Sequence, residues 1–212
     1  MKVTHLEQSG FIIETTNGFV LAIDIGAFAP LENVAKLRSS MKIDAMLVSH
    51  IHGDHFSVPH IKALAPTTLY LNEECIEAIG EEELISAVVK VRVGEIVSIA
   101  GCPDMTVQFF DVDHGPNTKL RPRENFGFLI HVDGKSIYFA GDMFYPSGID
   151  VTSLEVDYAL LPVGTFYTFG PEEAVAFAST FKKIGQAIPM HYEKDPATKD
   201  RFVNLYENNN KK

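Results

Sequence analysis

Three histidines and one aspartate lie within six consecutive residues, and these residue types are common metal ligands. In a loop that turns back on itself, His50 and His52 can point at one metal ion while the pair after Gly53, Asp54 and His55, points at another. Imidazole nitrogen and carboxylate oxygen suit zinc first, with manganese or iron as alternatives. Any one of these residues alone would more often be a structural residue or part of a surface histidine cluster than a metal ligand. As a set, they predict half of a two-metal centre.

The elements before this motif must position it. A short apolar strand at 45–48 ends directly before the first histidine. Upstream, the β-branched and aromatic runs 11–15 and 19–24 are joined by an Asn-Gly pair at 17–18, which tolerates the positive φ of a hairpin turn. Apolar residues at helical spacing predict a helix between 30 and 41. The chain is therefore expected to open with a β-meander, a helix and the strand that carries the motif.

The rest of the chain continues to alternate strands with a helix. Strands are predicted at 68–71, 95–99, 106–112, 126–140 (a hairpin about an Asp-Gly pair), 158–163 and 187–190. A helix is predicted from Pro171, where proline and two glutamates suit a first turn, to about Ile184. Because the order of strands, helix, strand and ligand-bearing loop occurs in both halves, we expect a pseudo-duplicated sandwich.

The spacing His-x-His-x-Asp-His at 50–55 resembles the signature of the metallo-β-lactamase superfamily. Four positions outside this motif are similar to other elements of that family and occur in the family's order along the chain. Asp24, at a strand end, precedes the motif, and three residues follow it: His114 before Gly115, Asp142 after Ala140-Gly141, and His191 after Pro189-Met190. The resemblance implies that His114 completes the first metal site and His191 the second. It also implies that the Asp142 carboxylate bridges the two metals and that Asp24 supports the ligand loop from behind.

This resemblance implies an α/β fold of the metallo-β-lactamase type, a single-domain four-layer αβ/βα sandwich over 1–207 with a polar, mobile tail at 208–212. The implied metal ligands are His50, His52, Asp54, His55, His114, Asp142 and His191. The implied activity is hydrolysis of a small ester, lactone or phosphorylated substrate by metal-activated water, with Asp54 orienting that water and moving its proton. Segments 161–174 and 188–192 most resemble the UlaG-like (ascorbate-6-phosphate lactonase) group.

Four residues are candidate substrate contacts. Lys119, Arg121 and Arg123 follow His114 in a loop interrupted by prolines, where they could hold a phosphate or carboxylate. Solvated charges on an exposed loop explain these cations equally well. Tyr167 stands between a strand and a helix and could form part of an aromatic wall, although core packing is the more frequent use of such residues.

Composition limits the partners. The 18 Lys and Arg against 28 Asp and Glu give a net charge of −10, which disfavours nucleic acid as a partner. The first rival function is nevertheless a ribonuclease-type phosphodiesterase of the same superfamily. The others are an iron enzyme on this scaffold, either a mononuclear dioxygenase or a diiron oxygen reductase, and a non-catalytic protein that keeps a structural metal.

No apolar run approaches the roughly 20 residues of a membrane span, and two cysteines are too few to staple the fold. We therefore expect a cytoplasmic protein that acts on a small, anionic or neutral substrate without membrane contact. Homo-oligomer formation is left open.

Overall fold

The computed structural model describes residues 1–146 and 148–210. Within them, each half of the chain forms one six-stranded sheet, and the strands lie side by side in their chain order. The first sheet contains β1 (Lys2–His5), β2 (Phe11–Glu14), β3 (Val20–Ile23), β4 (Ala45–Leu47), β5 (Thr68–Leu71) and β6 (Ala87–Lys90). The second contains β7 (Ile96–Ile99), β8 (Cys102–Asp111), β9 (Phe126–Val132), β10 (Lys135–Phe139), β11 (Glu155–Pro162) and β12 (Lys183–Met190). The pseudo-duplicated sandwich is confirmed.

Helices cover the outer faces of the two sheets. Those associated with the first sheet are α1 (Leu31–Ser40), α2 (Val58–Leu64) and α3 (Glu73–Ile79), and those associated with the second are α4 (Pro171–Ala178) and α5 (Ala197–Asn210). The layers therefore run helix, sheet, sheet, helix, as expected of an αβ/βα sandwich.

Strand alternation divides the buried side chains between two cores. On β2, Phe11 and Ile13 join the core between the sheets, whereas Ile12 points to the core under α1, α2 and α3. All three side chains are at most 1% exposed. Burial of each such side chain contributes about 1.5–3 kcal/mol relative to leaving it in water. The apolar alternation thus fixes which face of the first sheet meets the second.

Strand direction brings the chemistry to one edge. In the first sheet β3 and β4 are parallel. In the second, β8 and β10 each pair antiparallel with β9 and so run the same way, and β10, β11 and β12 are parallel. The sheets are joined at this edge by a hydrogen bond of 3.0 Å from the backbone N–H of Phe126 to the carbonyl of Ser49. The carboxyl ends of β3, β4, β8, β10 and β12 are therefore neighbours.

The structure corrects two expectations about the second half. The predicted helix from Pro171 to Ile184 is wrong at its end, because α4 stops at Ala178 and Ile184 lies in β12, opposite Val156 of β11. The predicted tail at 208–212 begins inside α5, which continues to Asn210; residues 211–212 lie outside the described residues.

Among the described helices, none has the length and apolar character required to cross a bilayer. Cys75 and Cys102 are both buried and form no disulfide with each other. Burial raises the pKa of both thiols, that of Cys102 to about 11, so neither is poised to react as a thiolate.

Candidate metal centre

The predicted ligands converge at the shared edge of the two sheets. His50, His114, Asp142 and His191 each follow a strand that ends there, namely β4, β8, β10 and β12. The structure brings all the predicted ligands into two groups, and in each group the ligand atoms lie within 4.8 Å of one another. We call His50, His52, His114 and Asp142 the first cluster, and Asp54, His55, His191 and Asp142 the second cluster. Asp142 belongs to both.

In the first cluster, imidazole nitrogens point at one another and at the shared carboxylate. The Nε2 atom of His50 lies 2.9 Å from Nδ1 of His52. The Nε2 atom of His114 lies 3.3 Å from Oδ2 of Asp142, and that of His50 lies 4.0 Å from the same oxygen. Three nitrogens and one carboxylate oxygen thus face a common point.

The second cluster combines two histidines with two carboxylates. The Nε2 atom of His55 lies 3.2 Å from Oδ1 of Asp142, and Nε2 of His191 lies 3.2 Å from its Oδ2. The Oδ2 atom of Asp54 lies 3.7 Å from His55 Nε2 and 3.5 Å from His191 Nε2. Asp142 therefore faces histidines of both clusters through Oδ2 and a histidine of the second cluster through Oδ1.

Several of these buried atoms have no hydrogen-bond partner among the described residues. They are Nε2 of His55, Nε2 of His114 and Oδ1 of Asp142. A buried polar group without a hydrogen bond costs about 1–3 kcal/mol, so their convergence calls for a compensating ligand. Divalent cations of the zinc type accept this set of nitrogen and carboxylate donors. The residues present fit two metal ions.

Asp24 lies behind His55, where the resemblance placed it. Its buried carboxylate accepts hydrogen bonds from His55 Nδ1 at 2.8 Å, from the Ser49 N–H at 2.7 Å and from the Ser49 hydroxyl at 2.5 Å. Burial raises the pKa of Asp24, although His55 and these hydrogen bonds oppose the increase. The contact fixes the ring of His55 so that Nε2 faces the second cluster.

The two other histidines of the loop are oriented by different partners. The hydroxyl hydrogen of Ser49 is used on Asp24, so its oxygen accepts a hydrogen bond from Nδ1 of His50 at 2.9 Å. His52 donates through Nε2 to the backbone carbonyl of Leu120 at 2.7 Å. These bonds leave Nε2 of His50 and Nδ1 of His52 free to face the metal position. Ser49 and Leu120 were not anticipated from the sequence.

Gln8 is a further residue that sequence reasoning missed. Its side-chain Nε2 donates to Oδ2 of Asp54 at 2.8 Å, and its backbone carbonyl accepts from the N–H of His191 at 2.9 Å. The residue is 1% exposed and has a left-handed φ of 55°. A glutamine between two strands is typical of an exposed turn, so no signal in the sequence marked it. Gln8 links two ligands of the second cluster.

Close backbone approach explains two glycines at the site. A Cβ on Gly26 would lie 2.2 Å from the carbonyl carbon of Asp54, and one on Gly164 would lie 2.4 Å from the carbonyl oxygen of His191. Both contacts are with backbone, which cannot move aside as a flexible side chain can. These positions allow the ligand-bearing segments to pack against their neighbours.

The carboxylates give the second cluster a negative potential. Burial disfavours the protonated ring of His191, but Asp142 outweighs it and raises the pKa of His191 to about 9. Asp142, Asp54 and Asp24 likewise outweigh burial and raise the pKa of His55. In contrast, burial and the neighbouring His55 lower the pKa of His50. The field that favours a proton on His55 and His191 attracts a metal cation equally well.

The loop cations predicted as substrate contacts are partly neutralised. Arg121 and Arg123 line a cavity of about 210 Å³ that reaches His114. The Arg121 guanidinium lies 3.4 Å from Asp113, and that of Arg123 contacts Glu77 of α3, which raises the pKa of Arg123. Lys119 is exposed and makes no ion pair in the described chain. Tyr167 is half-buried, with Lys194 Nζ 4.9 Å from its ring centroid.

Comparison with known proteins gives consistent matches over most of the chain. Residues 2–191 match the family model described as Beta-lactamase superfamily domain. A UPF0173 metal-dependent hydrolase of Pelotomaculum thermopropionicum is 33% identical over 211 residues, covering 93% of this chain and 89% of the relative.

Several solved structures resemble the fold. Igni18, a metallo hydrolase from the hyperthermophilic archaeon Ignicoccus hospitalis, superposes with a TM-score of 0.76 at 21% identity, covering 98% of this chain and 91% of that one. The metallo-beta-lactamase fold protein YhfI from Bacillus subtilis gives a TM-score of 0.71 at 16% identity, with coverages of 94% and 86%. At these identities the likeness bears on fold alone, and it confirms the α/β fold expected from the sequence.

Proposed function

Because the chain belongs to the beta-lactamase superfamily and to its UPF0173 metal-dependent hydrolases, we propose that it binds two divalent metal ions and hydrolyses a small ester, lactone or phosphorylated substrate. The observation that carries this proposal is the pair of ligand clusters that share Asp142. Lactones are included because of the resemblance to the UlaG-like group, which stays a prediction.

The first cluster would hold one ion and the second cluster the other, with zinc as the first candidate and manganese or iron as alternatives. Ions held there would lower the pKa of a bound water and polarise a carbonyl or phosphoryl oxygen. The protein's own part is to fix the donor atoms, and Asp24, Ser49 and Gln8 do so from behind the ligands.

Asp54 is the candidate for proton movement. Burial opposes its ionisation, but His55 and His191 outweigh burial and hold the pKa of Asp54 well below its usual range. Its side chain keeps 20% of its surface accessible, whereas that of Asp142 keeps 2%. An ionised, partly accessible carboxylate anchored by Gln8 is suited to orient a water by accepting a hydrogen bond from it.

The rival functions require a different number of metal positions or a different surface charge from those of this chain. A mononuclear iron dioxygenase requires one metal position, and the intact second cluster favours two. A nucleic-acid phosphodiesterase must attract a polyanion, which the net charge of −10 disfavours.

Metal analysis together with a substrate panel tests the proposal. We expect two ions per chain in the wild type and about one in the His191→Ala variant, since that change removes one ligand of the second cluster alone. His131→Ala is the matched control, because His131 is exposed on β9. A para-nitrophenyl ester, a simple lactone and bis(para-nitrophenyl) phosphate report the reaction class.

One ion in the wild type, unaffected by His191→Ala, would exclude the binuclear centre. Turnover of the phosphodiester alone would favour the nucleic-acid phosphodiesterase. Absence of turnover on the whole panel by protein loaded with zinc, manganese or iron would count against a small-substrate hydrolase.

A further inference from the structure

Lys194 lies between two aromatic rings. Its Nζ atom is 4.9 Å from the ring centroid of Tyr167 and 5.7 Å from that of Phe28. Both rings are half-buried, while Lys194 is exposed. An ammonium over aromatic faces is attracted by their negative face, at about 0.5–1 kcal/mol for an exposed site. We call Phe28, Tyr167 and Lys194 the lysine cage.

Each residue of the lysine cage lies close in the chain to a residue that contacts or forms the candidate metal centre. Phe28 follows Ala27, whose N–H donates to the carbonyl of Gly53 in the ligand loop at 2.8 Å. Tyr167 lies three residues after Gly164, which packs directly against His191. Lys194 itself lies three residues after His191 in the chain. The cage residues therefore come from three segments that contact or carry ligands of the second cluster.

The Lys194 ammonium has no carboxylate partner among the described residues. Aromatic faces hold its position but do not accept its N–H hydrogens as a carboxylate would. By contrast, two other cations near the site, Arg121 and Arg123, are each next to a carboxylate. Among the described residues Lys119 also lacks an ion pair, but no aromatic ring there holds its ammonium. Lys194 thus combines a fixed position with unused donors.

We propose that Lys194 binds an anionic group of the substrate, a carboxylate or a phosphate, at a distance from the bond that is cleaved. The inference rests on the proposed hydrolase function and specifies its substrate class. In a chain with a net charge of −10, an anionic group that lies away from the metal positions needs a cation of its own. Two aromatic walls restrict the lysine before binding, so less side-chain entropy is lost when the anion binds.

Matched esters test the cage in the metal-loaded protein. The anionic probes are mono-para-nitrophenyl esters of adipic, suberic and sebacic acids, and their neutral counterparts are para-nitrophenyl hexanoate, octanoate and decanoate. For at least one chain length we expect Lys194→Gln to raise KM for the anionic ester about fivefold, as for an exposed ion pair, without changing kcat. KM for the neutral ester should not change, and Lys194→Arg should restore most of the selectivity.

Lys199→Gln is the matched control, because Lys199 lies over a different ring, that of Tyr192, at 5.2 Å. An equal effect of both lysine variants would reveal a general charge effect and overturn the proposal. Equal changes for anionic and neutral esters at every length would overturn it as well.

A binding measurement separates this proposal from the function on which it rests. Calorimetric titration with the free diacids and with the corresponding monoacids needs no turnover. Suppose that no ester is hydrolysed but that Lys194→Gln weakens binding of a diacid about fivefold more than binding of its monoacid. Anion binding by Lys194 is then supported, and the hydrolase proposal is refuted. If the esters are hydrolysed and neither comparison depends on Lys194, the cage fails and the hydrolase proposal stands.

Discussion

The two clusters share Asp142 but differ in what orients their other ligands. In the second cluster, His55 is held by the buried carboxylate of Asp24 and Asp54 by the buried side chain of Gln8. In the first cluster, His52 is held by the carbonyl of Leu120, whose side chain is 63% exposed. One cluster is supported by the core and the other partly by a surface loop.

This difference indicates how the site divides its tasks. Buried supports open with the whole domain, whereas exposed loops open locally at lower free energy. The second cluster also contains the accessible carboxylate of Asp54. We therefore expect the second cluster to keep a fixed geometry for proton movement and the first cluster to tolerate more motion.

The largest expected effect comes from Asp54→Asn. The change keeps the shape of the side chain but removes the charge and the proton acceptor, so kcat should fall about 10²- to 10⁴-fold. Thermal unfolding should be nearly unchanged, and Asp111→Asn, at the exposed end of β8, serves as the control. Near wild-type turnover of the metal-loaded variant would refute the role of Asp54.

A smaller effect is expected from Asp24→Asn, which weakens the support of His55. Loss of a hydrogen-bond partner behind a metal ligand typically reduces metal affinity about 10- to 100-fold. The reduction should be larger for the second cluster, because Asp24 contacts His55 directly and reaches His50 of the first cluster only through Ser49. Chelator titration measures the affinity of each ion. Equal weakening of both would contradict separate supports for the two clusters.

Half of the candidate ligand set was predicted because its residue types are rare at such spacing: His-x-His-x-Asp-His after a buried strand has little use in packing. His114, Asp142 and His191 were predicted only through the resemblance to the metallo-β-lactamase superfamily, and the strand ends at one edge bring them beside that motif. The hairpin at 126–140 and the strand at 68–71 were also predicted correctly, since turn residues and β-branched runs mark them locally.

Features decided by distant contacts could not be predicted in this way. The proline and glutamates of the first turn predicted a helix that would run to about Ile184, but pairing with β11 places the end of that segment in strand β12, which is a tertiary effect. The strands β1 and β6 and the helices α3 and α5 were not assigned, because their patterns are short or polar. Gln8 contacts Asp54 and Lys194 contacts Tyr167, residues that are far away in the chain. A local sequence pattern does not reveal such contacts.

A more modest effect is expected from Gln8→Ala. The change removes the hydrogen bond to Asp54 but retains the backbone carbonyl that accepts from His191, so only the orientation of Asp54 should suffer. We expect kcat to fall about tenfold, at the low end for a residue behind a ligand. Gln186→Ala, on the exposed face of β12, is the control. A loss of metal instead of turnover would show that Gln8 supports ligation itself.

The smallest effect is expected from Leu120→Ala, although Leu120 supports the first cluster. His52 donates to the backbone carbonyl of Leu120, and the substitution keeps that carbonyl while removing a mostly exposed side chain. Surface substitutions of this kind change stability by no more than about 0.5 kcal/mol, so metal affinity should stay within about twofold of the wild type. Chelator titration under the conditions used for Asp24→Asn provides the direct comparison. A selective loss of the ion in the first cluster would contradict this prediction. Packing of the leucine side chain would then hold the loop over His52, and the first cluster would depend on the loop more strongly than the hydrogen bond from His52 to the Leu120 carbonyl indicates.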